Sequence, residues 1–354
     1  MTRSRLPEAE GSIKYSIKGM AQLSASIYDV ARYCGLPVIT VRRILDNSLL
    51  DVTDRTRRKV LRAAKMVGYD VVPRTHNLGM IYMDENGKGL THPYFAALLN
   101  AFKSAAENWG YDITFINHNA TSENMTYLDH CRYRNVDGVC LACLDFTSRE
   151  VSDLVASDIP CVTVDHMFEG IPAVLSDNEN GVNMLVDFAA SLGHRRIAFI
   201  HGHNNSVVTS TRIAQFYSAM AYHGLPVPEG YVRSGLYNEI GMSRDIILDM
   251  LRMPNRPTCI LLPNDMCYFG AQEAAQVMGL RIPEDISFAG YDGIELTQAL
   301  RPQLTTISQD STGMGRACAR RLIEMIESPA SYSRKPTIFP VELLKGGTIA
   351  KWEE

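Results

Sequence analysis

Two groups of basic side chains near the N-terminus have the types and spacing that grip a polyanion. Arg42 and Arg43 form one; Arg55, Arg57, Arg58 and Lys59 form the other. A guanidinium fork can bond bidentately to guanine, and cationic clusters of this kind suit backbone phosphates. Between Ile27 and His76 there are ten lysine or arginine side chains against five aspartates, although the whole chain of 354 residues carries a net charge of −4. A small basic head therefore precedes an acidic body, and only the head is expected to approach a polyanion. Elsewhere reactive patterns are sparse. Cys140-Leu-Ala-Cys143 has the spacing of a redox pair or half a zinc site, but it lies in an apolar run that reads as a buried strand end, with no second Cys/His pair to complete it. The eight scattered cysteines read as structural thiols of a reducing compartment. There is no Gly-x-Ser-x-Gly elbow, Walker loop or His-Glu-x-x-His, and Gly87-Lys88-Gly89 lacks the setting of a phosphate cradle. These patterns predict a chain that is not an enzyme and uses no cofactor or metal.

The elements that carry the basic residues are legible from local signals. Helical patterns run from Tyr28 to Cys34 with a turn at Gly35, then from about Val38 to Leu45. A third runs from Asp54 to Val67 behind an N-cap at Thr53, stopping at Gly68. This is a helix-turn-helix backed by a third helix, with an expected core of Val30, Ala31, Val41, Leu45, Val60, Leu61 and Ala64. The second helix of such a motif enters the major groove with its first residues at the base edges. Here those are Pro37, Val38 and Ile39, with Arg43 one turn on. Val38 and Ile39 can touch thymine methyls, whereas Arg43 can read guanine.

From Leu78 onward strands and helices alternate in two consecutive series, which implies parallel sheets covered on both faces and two similar lobes with a cleft between them. In such sheets ligands sit beyond the carboxyl ends of the strands. Tyr94 and Phe95, at the start of the first body helix, are placed to line the first lobe's side of such a cleft. No run of 18 apolar residues is present, and the N-terminus is polar up to Met20, so neither a membrane span nor a secretion signal is expected.

The motifs in order resemble the LacI/GalR family of transcription regulators over residues 27 to about 345. Asp29-Val-Ala-x-x-x-Gly35 followed by Thr40-Val-x-Arg-x-Leu45 resembles the family head. Leu192-Gly-His-Arg-Arg-Ile-Ala-Phe-Ile200, Pro263-Asn-Asp265, Ile282-Pro-Glu-Asp-Ile-Ser-Phe-Ala-Gly-Tyr-Asp292 and Pro302-x-Leu-Thr-Thr-Ile-x-Gln-Asp310 resemble its body. The resemblance implies an all-α helix-turn-helix head and an α/β, periplasmic-binding-protein-like body of two doubly wound parallel-sheet lobes. It implies an effector set of Asp165, Arg212, Asn264 and Asp292, in which a guanidinium, carboxylates and an amide grip vicinal hydroxyls of a sugar. Tyr237 falls where an aromatic stacks on the ligand, and Tyr94 and Phe95 join the same expected set. The expected DNA-facing residues are Tyr28, Val38, Ile39, Thr40, Arg42, Arg43, Asn47, Arg55 and Arg58.

Three departures accompany the resemblance. Pro37 stands where the family usually has a serine that caps the helix and contacts a phosphate. Val208 and Ser311 stand where a hydroxyl or a packing aromatic is found. The joint is the largest: family members follow the head with a short hinge helix, whereas here Asp70-Val-Val-Pro-Arg-Thr-His-Asn77 leads directly into a strand. Val71 and Val72 before Pro73 favour extended backbone, so no hinge helix is expected, a single turn at Arg74–Leu78 being the alternative.

The expected organisation is a disordered tail at 1–25, the head at 26–69, a linker at 70–77, an effector-binding and dimerisation domain at 78–345 and a C-terminal tail at 346–354. Within it, one lobe takes about 78–175 plus 311–337 and the other about 176–310 plus 338–345. The expected function is a cytoplasmic homodimeric repressor of a pseudo-palindromic double-stranded DNA operator, controlled by a small polar effector such as a sugar, with no membrane partner. A second reading stays open on sequence alone: a cytoplasmic small-molecule sensor whose head binds DNA weakly or without sequence preference.

Overall fold

The computed structural model describes residues 25–45, 52–69, 74–82, 89–117, 125–203, 206–329 and 331–353. The chain divides into two compact units, residues 1–73 and 74–354. In the first, helices α1 (Ile27–Cys34), α2 (Val38–Leu45) and α3 (Asp54–Val67) form the expected three-helix head. Local chemistry sets every boundary. Ser26 and Asp29 form a reciprocal capping box at the start of α1, and Thr53 accepts from the Thr56 N–H at the start of α3. Gly35 and Gly68 take the left-handed conformation that ends α1 and α3, at φ 62° and 71°. Pro37 opens α2 without penalty, because its carbonyl accepts the Thr40 and Val41 N–H groups at 3.0 Å each and its missing donor is not needed there.

The head core differs from the expected one. Val30, Ala31, Val41, Val60 and Ala64 are buried, but Leu61 is 44% exposed, Leu45 is only partly buried, and Ile44, Ala63, Ile27 and Cys34 complete the core. On α3 the inward stripe runs Val60, Ala63, Ala64, Val67, so Leu61 falls on the outer face.

The second unit contains two six-stranded sheets among its described residues. The first lobe is built from β1 (Asn77–Tyr82), α4 (Pro93–Asn108), β2 (Asp112–Phe115), α5 (Tyr127–Tyr133), β3 (Gly138–Ala142), α6 (Arg149–Val155), β4 (Cys161–Val164) and β5 (Ala173–Ser176). The second is built from α7 (Asn178–Ser191), β6 (Ile197–His201), α8 (Val207–Tyr222), β7 (Val232–Ser234), α9 (Ile240–Leu251), β8 (Cys259–Leu261), α10 (Cys267–Val277), β9 (Ser287–Asp292), α11 (Glu295–Gln298) and β10 (Thr305–Gln309). The chain then returns to the first lobe with α12 (Ser311–Glu327) and β11 (Thr337–Phe339), and ends in the second with β12 (Val341–Leu344).

The strand orders β11-β5-β4-β3-β1-β2 and β12-β10-β9-β8-β6-β7 repeat one topology, parallel throughout except for the antiparallel edge strand β12. β3, β4 and β6 are buried at every position, as strands covered on both faces must be. The chain passes between lobes at Ser176–Asn178, Gln309–Ser311 and Phe339–Val341, and the Asp177 N–H ties the first crossing to the third through the Phe339 carbonyl at 3.0 Å. The short strands β5, β7, β11 and β12 span three or four residues each, too few for sequence periodicity to reveal.

Of the joint, Asp70–Pro73 lie outside the described residues. Arg74–His76 have no regular structure and Asn77 opens β1, so the single turn considered at Arg74–Leu78 does not form. The segment read as a C-terminal tail packs onto the second lobe: Thr348 and Ile349 are buried, and the Trp352 N–H donates to the Leu192 carbonyl at 2.7 Å. All eight cysteines are free thiols. Among the described residues no helix is long and apolar enough to cross a membrane.

Candidate functional site

The carboxyl ends of both parallel sheets face one cleft, which encloses a cavity of about 190 Å³. The first lobe contributes Tyr94 and Phe95 at the start of α4, Cys143 and Phe146 after β3, and Asp165 and His166 after β4. The second contributes Val207, Val208 and Arg212 of α8, Tyr237 and Asn238 after β7, Asp292 at the end of β9 and Gln309 at the end of β10. The backbone is strained at this rim. Cys143, Asp165, Asn238 and Asp292 all hold positive φ, at 53°, 54°, 59° and 114°. Each such residue costs on the order of 1–3 kcal/mol and persists only where its surroundings over-determine it.

Two carboxyls and a guanidinium form the polar end of the cavity. Asp165 accepts the Ser176 N–H at 2.9 Å and the Tyr94 hydroxyl at 3.1 Å. Arg212 is buried, donates from Nε to Asn178 Oδ1 at 2.7 Å and from Nη1 to the Pro263 carbonyl at 3.3 Å, and lies 3.5 Å above the Tyr291 ring. Asp292 accepts from Gln309 Nε2 at 2.8 Å and from the Asn264 amide.

Burial, followed by the neighbouring Asp265 charge, pushes the Asp292 carboxyl up to about 8 against the opposing pull of Arg212. Asp165 is also raised, by burial, with the Ser176 N–H and Arg212 opposing. Burial pulls against the Arg212 charge, but the tyrosines and carboxylates around it outweigh that and hold it cationic. The cleft thus presents one fixed cation and two carboxyls whose charged forms are disfavoured, Asp292 the one pushed up to about 8. That set can donate to and accept from adjacent hydroxyls at once.

The remaining walls are largely aromatic. Tyr94 and Phe95 meet edge-on at 4.9 Å, and Phe146 stacks parallel to His166 at 4.3 Å. Tyr237 is held by a 2.9 Å hydrogen bond between its hydroxyl and Thr209 Oγ1, and packs so closely on Gly202 that a Cβ there would lie 1.9 Å from the ring.

In the head, the exposed side of α2 and the start of α3 carry the basic set. Ile39 and Tyr28 are each 54% exposed, Arg43, Arg55 and Arg58 are exposed, and Val38, Thr40 and Arg42 are partly covered. Arg58 Nε bonds the Asp54 carbonyl at 3.2 Å. Asn47 lies outside the described residues.

A model of the periplasmic binding protein-like domain matches residues 186–349. An HTH-type transcriptional repressor PurR from Vibrio cholerae serotype O1 (strain M66-2) is 30% identical over 340 residues, covering 92% of this chain and 98% of that protein. The chain belongs to the LacI/GalR family of transcriptional regulators. It is a ligand-controlled DNA-binding repressor rather than an enzyme, as its relatives are repressors. Among solved structures, the transcriptional regulator CelR in its cellobiose complex superposes with a TM-score of 0.68 at 24% identity, over 92% of this chain and 99% of that one. The lac repressor dimer bound to operator and the anti-inducer ONPF gives 0.67 at 24% identity with the same coverage. Both likenesses show the fold.

Six of the seven effector residues expected from the family resemblance, Tyr94, Phe95, Asp165, Arg212, Tyr237 and Asp292, line the one cavity. Asn264 does not. It is buried a layer behind, where its amide donates to Asn238 Oδ1 at 2.7 Å and its carbonyl accepts the Asn238 N–H at 3.3 Å. It holds the strained Asn238 and touches Asp292. Of the two departures noted in the body, Val208 lines the cavity, whereas Ser311 opens α12 and is not part of the lining. Sequence reasoning missed Asn238, Gln309 and the Phe146–His166 stack. Gln309 stood within a recognised motif and Asn238 beside Tyr237, so proximity was a usable signal for both. Nothing in the sequence pairs Phe146 with His166.

Proposed function

We propose that this repressor binds a small sugar in the cleft between its lobes and a pseudo-palindromic operator through paired heads of a homodimer. The observation that carries the reading is the Asp165–Arg212–Asp292 constellation, a buried arginine with two half-buried carboxyls, drawn from both lobes at the carboxyl ends of their sheets. Arg212 and Asp165 grip vicinal hydroxyls, Asp292 accepts from a further one, and Phe95, Phe146 and Tyr237 cover the apolar ring face. A cavity of about 190 Å³ is below the ~300 Å³ at which pockets for drug-sized ligands begin, which favours a monosaccharide-sized ligand. The CelR–cellobiose complex supports a carbohydrate, and the operator-bound lac repressor dimer supports paired heads.

In the head, Arg43 reads a guanine, Val38 and Ile39 contact thymine methyls, and Arg42, Arg55 and Arg58 contact phosphates, with Tyr28, Thr40 and Asn47 completing the face. A ligand bridging the two lobes stabilises their closed arrangement and thereby changes how the heads are presented. A DNA target and free thiols accord with a cytoplasmic location. The test combines calorimetry against a panel of pentoses, hexoses, nucleobases and amino acids with DNA binding titrated in salt and competitor DNA. One sugar should bind and shift operator affinity. Binding of a nucleobase alone, or equal affinity for all DNA sequences, would overturn the corresponding half of the proposal.

A further inference from the structure

We propose that Asp137 is a positioning residue that clamps the linker's entry into the body, and so limits the half-site spacing this protein accepts. The inference rests on the reading of the chain as an operator-binding homodimer. The carboxylate of Asp137, at the start of β3, accepts the Thr75 N–H at 3.0 Å and the His76 N–H at 2.8 Å, and the Thr75 hydroxyl at 3.1 Å. The Thr75 hydroxyl also lies 2.5 Å from the Asn135 carbonyl. Arg74 reaches the other way, donating from Nη2 to the Ile326 carbonyl in the last turn of α12 at 2.9 Å.

The backbone is strained on both sides of this contact, with His76 at φ 55° and Asn135 at φ 48°. Asn135 takes this conformation as the residue that closes α5, a usual place for asparagine, whereas His76 is held in it by its surrounding contacts. His76 is further held by its carbonyl, which accepts the Asp112 N–H at 2.7 Å, and by its ring against Tyr111 at 5.2 Å. Three consecutive residues are thus committed to the body before β1 begins, by partners as far as 252 positions away.

The consequence is a short tether. Only four residues, Asp70 to Pro73, lie between Tyr69, the last described residue of the head, and Arg74, and four residues can span at most ~14 Å at ~3.3–3.6 Å per residue. Releasing Arg74 and Thr75 would give six residues and ~21 Å. Two heads would together gain ~14 Å, about four base pairs at ~3.4 Å each. A head reads its half-site with its own surface, so base preference stays with the head and the tolerated separation is set by the tether.

The test uses the full-length chain. An operator is first selected from a random DNA pool with the wild-type protein, and duplexes are then made with the half-sites moved apart or together in single base-pair steps. Wild-type affinity should fall at least tenfold within two base pairs of the optimum. The Arg74→Ala/Asp137→Ala chain should vary less than threefold over four base pairs while keeping the same preferred half-site sequence. Asp137→Asn carries the test if the double variant unfolds, because its Nδ2 cannot accept the His76 N–H and a smaller broadening should follow. A spacing profile identical to wild type in a folded variant would overturn the clamp. Failure of the wild-type chain to select any sequence would overturn the operator reading as well.

Discussion

Replacing Arg212 tests the centre of the cleft. Arg212→Ala leaves Asn178 Oδ1 and the Pro263 carbonyl without their donor, uncovers the Tyr291 ring and removes the cation that offsets Asp165 and Asp292. Breaking a buried charge constellation by removing one partner costs about 3–5 kcal/mol, which in a domain of this size lowers Tm by ~6–20 °C. The alanine variant therefore confounds lost recognition with lost stability. Arg212→Lys separates them: the charge stays, but a point ammonium cannot reproduce the fork that reaches Asn178 and Pro263 while facing the ligand. The lysine chain should unfold within ~6 °C of wild type, taking a residual loss of ~1–1.5 kcal/mol. Its sugar affinity should drop by roughly 10–150-fold, the equivalent of a charge-assisted hydrogen bond of about 1.5–3 kcal/mol. Calorimetry with the sugar found in the panel measures the affinity, and thermal melting measures the fold. DNA binding by the sugar-free protein should be unaltered, since the head is a separate compact unit. Affinity within twofold of wild type in a folded Arg212→Lys chain would refute the assigned role.

Asp292 links ligand binding to pH. Its carboxyl titrates near 8 in the free cleft, so a sugar hydroxyl donating to the carboxylate must displace a proton below that pH. Affinity should rise by up to about tenfold per pH unit from pH 6 to 8 and level off above, whereas Asp292→Asn should bind weakly and without this slope. The same shift carries a stability signature. The folded value lies above the unfolded one, so the neutral form is favoured by folding and that stability is lost as pH rises from about 4 through about 8. The melting temperature of Asp292→Asn should therefore gain on wild type across that window; a constant difference would count against the raised carboxyl. Gly202→Ala should abolish sugar binding with little effect on DNA binding, because its Cβ would lie 1.9 Å from the Tyr237 ring and displace it, and retained calorimetric affinity would show the ring to be dispensable. Arg43→Ala should cost about 1–3 kcal/mol at one base pair of the selected operator and relax preference there alone. A uniform loss across all base pairs would assign Arg43 to phosphate instead.

Much of the head and the class of the body were legible in the chain, because their signals are local. Thr53, Gly35 and Gly68 bound helices through their own backbone preferences, and the alternation of strand and helix from Leu78 onward requires parallel sheets whatever their neighbours do. Short-range patterning failed where two answers were locally equivalent. Leu61 and Ala63 are both apolar, and only the packing of α3 against α1 selects Ala63 for the core. The motifs named Asp165, Arg212, Asn264 and Asp292 together, but tertiary structure decided their depths. Three face the cavity, while Asn264 is taken up by the strained Asn238 backbone behind it. Phe146 and His166 meet because β3 and β4 pair side by side, and the Thr75 and His76 N–H groups meet Asp137 because β1 and β3 do. The sequence by itself determined the longer elements and which chemical groups are available. Which of those groups share a site was decided by long-range strand order and by the three crossings between lobes, since contacts between residues tens to hundreds of positions apart leave no periodic trace in the chain.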